Sequence, residues 1–141
     1  REGFIWVATH NGLNRLDRFT GKVRRYVHNV NDENTITSNS VNKIVLDKYG
    51  RLWFGTDNGI NILLPGTDSF IHFLHNTDSL SPSLDNEITN LHMDIKGTIW
   101  IGTNMNGLYM VGSDTYNMPP GKWAKSLNQL KESGNPEIKN W

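Results

Sequence analysis

Cysteine is missing from all 141 residues, which excludes a disulfide scaffold, a thiolate nucleophile and a Cys-ligated metal site. Net charge is missing too: Lys+Arg and Asp+Glu both number 14, for a formal charge of zero. Without a basic excess, the chain lacks the main electrostatic drive towards nucleic acid or anionic lipid. No apolar run approaches the ~18 residues of a membrane span, so this segment is not expected to insert directly. The first residues do not read as a signal peptide. No Gly-rich phosphate loop opens a helix, and the glycines fall at turns and at small-residue strand positions. The histidines form no His-x-x-x-His and no His/carboxylate cluster, so no metal and no cofactor is expected.

What the chain does have is one phrase three times over, 47 residues apart. Gly3-Phe4-Ile5-Trp6-Val7-Ala8-Thr9 returns as Gly50-Arg51-Leu52-Trp53-Phe54-Gly55-Thr56, and again as Gly97-Thr98-Ile99-Trp100-Ile101-Gly102-Thr103. A period in the 40s with a Trp in a short apolar run marks an array of β-propeller blades. In the middle period four strands are predicted: Val41 to Asp47, Leu52 to Thr56, Ile60 to Leu64 and Ser69 to His75. Asp47 to Gly50 and Asp94 to Gly97 read as D-x-x-G turns, with the Asp bonding back to the turn amides and the Gly supplying a permissive φ. Asp57-Asn58-Gly59 reads as a tight hairpin, with Asn-Gly as its signal. The fold class is therefore all-β, with about three four-stranded antiparallel blades of a larger propeller.

The expected division is a partial first blade over 1–28, a second over 41–75 and a third over 88–118. An irregular insertion follows over 119–135. The stretch 136–141 then resumes the repeat, because Glu137-Ile138-Lys139-Asn140-Trp141 matches Glu87 to Leu91 at an offset of 50. On this reading the chain is part of a longer array, and its partner is the rest of that propeller or a second copy of itself.

The phrase is apolar on successive residues, with Leu52 and Phe54 on one face and Trp53 on the other. A strand covered on one side alternates apolar with polar, so both faces are expected to be covered by neighbouring blades. Trp6, Trp53 and Trp100 are accordingly structural, each burying about 200 Å² between blades. The position two after each Trp is Ala8, Gly55 or Gly102. Such small residues let the next sheet approach closely. Gly50, Gly97, Asp47 and Asp94 are assigned to the turns.

The pattern G-x-[IL]-W-[IV]-G-T, then N-G-[LI]-N, then a D-x-x-G turn one strand before the next Trp, resembles the two-component regulator propeller repeat. Asn58-Gly59-Ile60-Asn61 and Asn11-Gly12-Leu13-Asn14 carry that resemblance, which covers about residues 1–112 and resumes near 136. It implies a non-catalytic, ligand-recognising sensor segment in the periplasmic part of an inner-membrane receptor, with a glycan-derived or other small extracellular ligand, an oligosaccharide among the candidates, and possession of a histidine kinase by the parent. The alternative is a fragment of a propeller lyase, since lyases that open streptogramin antibiotics carry related phrases. Such an enzyme needs a convergent His and carboxylate, which these blades do not supply in sequence, so no catalytic residue is assigned. For ligand binding, two candidates stand out: His10, at a hairpin tip on the blade rim, and Trp123, outside the repeat in a Pro/Gly-rich stretch.

Overall fold

The computed structural model of the chain describes residues 3–73, 87–105 and 107–113. The repeat folds as its pattern requires: ten strands, no helix among the described residues, and three antiparallel sheets in sequence order. The first sheet pairs β1 (Phe4–Thr9), β2 (Gly12–Asp17) and β3 (Val23–Tyr26). The second is a complete four-stranded blade of β4 (Val41–Leu46), β5 (Leu52–Thr56), β6 (Gly59–Leu63) and β7 (Phe70–Phe73). The third pairs β8 (Ile88–Met93), β9 (Ile99–Thr103) and β10 (Leu108–Val111). The expected fourth strand of the third blade, the insertion 119–135 and the stretch 136–141 lie outside the described residues, as do His75 and Trp123.

The equivalence of the blades extends to their irregularities. β4 shifts register against β5 between Val41 and Lys43, and β8 shifts against β9 between Ile88 and Asn90, 47 residues on. The hairpins differ from expectation by one residue. Thr9 pairs with Gly12 and Thr56 with Gly59, so the two loop residues are His10-Asn11 and Asp57-Asn58, and the glycine opens the next strand. Gly12 and Gly59 sit there at φ +98° and +88°, conformations that a side chain would strain.

Two apolar layers separate the three sheets. One joins Leu13 and Tyr26 of the first blade to Leu52, Phe54, Leu63 and Phe70 of the second, with Trp6 packed against it. The other joins Trp53, Ile60, Ile62 and Phe73 of the second blade to Ile88, Leu91, Ile99 and Ile101 of the third. Successive residues of β5 thus face opposite neighbours, and every residue of β5 and β6 is buried. Trp53 is wholly enclosed, stacked 6.2 Å from Phe73. At about 25 cal/mol per Å², its burial is worth on the order of 5 kcal/mol.

Equal burial of the three tryptophans is not what the structure shows. Trp6 and Trp100 are only half-buried. Trp53 belongs to the sheet with a described neighbour on each side. Trp6 stacks 5.7 Å from Tyr26 and also meets Phe54 of the second blade. The small residue after the Trp works as expected in the middle blade. A Cβ on Gly55 would come within 2.6 Å of Ile88 Cγ2 in the third blade. At Gly102 the nearest atoms, Thr89 Oγ1 and Asn90 Cβ, belong to its own sheet.

Candidate functional site

The D-x-x-G aspartates hold more than their turns. Asp47 Oδ1 accepts from the amides of Tyr49 (2.9 Å) and Arg51 (3.0 Å). Its Oδ2 accepts from Arg51 Nε at 2.6 Å and from the Trp53 indole at 2.8 Å. Asp94 repeats the plan: Oδ1 takes the Lys96 and Thr98 amides, both at 2.9 Å, and Oδ2 takes the Trp100 indole at 3.0 Å. Donation from Trp100, then from the Thr98 amide, holds the Asp94 carboxyl below its ordinary range. The turn acid and the core ring six residues later are therefore one device, which turn chemistry alone did not reveal. Their common recurrence was its signal. Trp6 Nε1 is buried without an acceptor among the described residues.

Threonine closes the phrase because it pins the hairpin. Thr9 and Thr56 each accept from the amide two residues on at 3.1 Å, and each donates to the glycine carbonyl, at 2.7 and 3.0 Å. Asn61, the last residue of Asn-Gly-Ile-Asn, is fully buried. Its Oδ1 accepts from the Thr37 amide and its Nδ2 donates to Thr37 Oγ1, both at 2.9 Å. That pair fastens the 27–40 connector, which links the first blade to the second, onto the strand core.

The connector and the β1–β2 and β5–β6 hairpins share one end of the blades. Gly12 N donates to Asn39 O and Asp57 N to Ser40 O, which ties the hairpins to the connector. His10 stands at this end as expected, exposed, with Nδ1 2.8 Å from Ser40 Oγ. It is a staple between two blades. His28, just past β3, and His72, in β7, act together. His28 Nδ1 donates to the Ile36 carbonyl and His72 Nε2 to the Thr35 carbonyl, each at 2.7 Å. A carbonyl only accepts, so each of these nitrogens carries a proton. Burial holds His72 below the ordinary imidazole range, against the opposing pull of the Thr35 carbonyl. Beside this clamp lies a cavity of about 650 Å³ whose wall includes His28, Asn29, Asp32, Glu33, Asn58 and His72.

A second polar cluster bridges the same two blades. Asp68 accepts from Arg24 Nη1 at 2.6 Å and from Tyr26 Oη at 2.8 Å, with Arg15 Nη1 at 3.7 Å. The Arg15 guanidinium lies 4.7 Å from the Phe4 ring centre and 5.8 Å from that of Trp6. The Tyr26 hydrogen bond leads the causes that lower the Asp68 pKa. Burial, then Asp68, raises that of Tyr26. Among the described residues no three His, Asp or Glu side chains group as metal ligands would.

Residues 35–58 and 82–105 match the two component regulator propeller family. The fold is similar to the extracellular domain of the protein BT3049 of B. thetaiotaomicron, assigned to a hybrid two component system, at TM-score 0.65 and 25% identity over 79% of this chain. It is similar likewise to the extracellular domain of BT4673 from the same organism, at TM-score 0.63 and 28% identity over 81% of this chain. The chain spans only 16% and 15% of the lengths of those two chains. A streptogramin B lyase shares the fold at TM-score 0.56, 18% identity and 81% coverage of this chain, 35% of its own. No curated protein matches the chain.

Proposed function

We propose that this chain is a non-catalytic segment of the extracytoplasmic sensor propeller of a two-component receptor, and that the receptor recognises a glycan-derived or other small extracellular ligand. The observation that carries the reading is the family match on 35–58 and 82–105. The extracellular domains of the B. thetaiotaomicron systems, at 25% and 28% identity, support it. The chemistry of the blades agrees. Asp47 and Asp94 are committed to turns and indoles, Thr9 and Thr56 to hairpins and Asn61 to the connector, which is the inventory of a rigid scaffold. Binding belongs to the loop end that the scaffold holds. The lyase likeness, at 18% identity, bears on the fold alone.

The remainder of the receptor would supply a membrane anchor and a histidine kinase. The test is a reporter strain in which the receptor containing residues 1–141 controls a measurable gene. A response to one class of externally supplied oligosaccharide is expected, and Trp53→Ala should abolish it. A full-length protein located in the cytoplasm, or one deaf to every extracellular solute tried, would refute the reading.

A further inference from the structure

The cavity beside the histidine clamp has a composition that the scaffold does not need. Its volume, about 650 Å³, falls inside the range of small-molecule sites, about 300–1,000 Å³. Among the described residues its wall carries two carboxylates, Asp32 and Glu33, and no Lys or Arg, so their formal charge is negative. His28 spends Nδ1–H on the Ile36 carbonyl, which leaves Nε2 as the ring nitrogen open to a ligand. Asn29 and Asn58 add amides that can both donate and accept. The wall is thus rich in acceptors.

It is also held in advance. The Asn29 amide donates to Thr35 Oγ1 at 2.9 Å, and that hydroxyl donates to the Asp32 carbonyl at 2.9 Å. Asp32 Oδ1 accepts the Asn34 amide at 3.0 Å. With Thr35 and Ile36 clamped by His72 and His28, the loop is fixed at several points before any ligand arrives, which lowers the ordering cost of binding.

We infer that this cavity, between the 28–37 connector, Asn58 and His72, is a binding site for a small hydroxyl-rich molecule carrying a protonated amine, of the size of an amino monosaccharide. The ammonium pairs with Glu33 and Asp32, and the hydroxyls donate to His28 Nε2 and exchange bonds with Asn29 and Asn58. Acidic and sulfated sugars are rejected, because their anions meet carboxylates with no Lys or Arg among the described wall residues. The inference rests on the sensor reading and gives it a site away from the His10 hairpin tip.

The test is calorimetric titration of the 141-residue chain with glucosamine, glucose and glucuronate in parallel, repeated with Glu33→Gln and His10→Ala. Glu33 is exposed, so its exchange for Gln leaves the fold intact, as an unchanged far-ultraviolet spectrum should show. Glucosamine is expected to bind, glucose more weakly and glucuronate not at all. Glu33→Gln should weaken glucosamine about tenfold or more, and His10→Ala should leave it unchanged. No glucosamine binding, equal binding of glucosamine and glucuronate, or indifference to Glu33→Gln overturns the site. A sugar response in the reporter strain that survives Glu33→Gln would overturn this site and leave the sensor reading standing. Glucosamine binding with a silent reporter would do the reverse.

Discussion

Replacing Asp47 by Asn tests the link between turn and core most directly. Asp47 is 4% exposed and Arg51 7%, and their ion pair closes at 2.6 Å. The carboxylate receives four donors: two turn amides, the Arg51 guanidinium and the Trp53 indole. Asn keeps the shape. Its single oxygen can serve either the amides or the two side-chain donors, and its NH2 then faces N–H groups at the other position. Removing one member of a buried pair costs about 3–5 kcal/mol. With a urea slope of about 2 kcal/mol/M, the midpoint should fall by roughly 1.5–2.5 M. Two controls locate the cause. Asp94→Asn should shift the midpoint distinctly less, because the residue equivalent to Arg51 is Thr98 and no guanidinium loses its partner. The double variant Asp47→Asn/Arg51→Met should recover part of the loss, since an apolar replacement for a buried pair is often close to neutral. A midpoint for Asp47→Asn within error of the wild type, or a double variant no better than the single one, would show the pair is not what holds the turn to the indole.

Gly55→Ala should destabilise by about 1–3 kcal/mol through overpacking on Ile88, and in combination with Ile88→Ala the costs should fall short of additive when measured by urea unfolding. Trp53→Ala should cost about 3–5 kcal/mol, and the half-buried Trp100→Ala clearly less, by the same assay. His72 binds its proton less readily folded than at its ordinary 6.5. The unfolded chain therefore takes up the proton first, and His72 lowers stability as pH falls through 6.5 towards the folded value. Thermal melts from pH 7.5 to 5 should show a shallower decline in His72→Gln than in the wild type. Asp68→Asn should bring the Tyr26 hydroxyl back towards 10.0, read by ultraviolet titration.

Much of the fold was legible from 47-residue periodicity alone. Equal spacing of Trp, small residue and Thr gave the all-β class, the strand positions of the middle blade and the two opposed faces of β5. All of these are local or recurrent, and a repeat prints local geometry into sequence. The turn role of Asp47 and Asp94 was legible for the same reason. Other features needed contacts between distant residues. The indole bonds to Asp47 and Asp94 depend on the strand after each turn folding back beneath it. The difference between buried Trp53 and half-buried Trp6 and Trp100 depends on what packs around each ring in the fold, which no single repeat records. The clamp of His28 and His72 on consecutive carbonyls joins residues 44 apart across two blades, and the cavity beside it exists only because the connector is held there. What each blade is follows from its own repeat. Where the blades meet, and what lies between their loops, was decided by packing, because burial and charge at those positions are properties of neighbours brought together only by the fold.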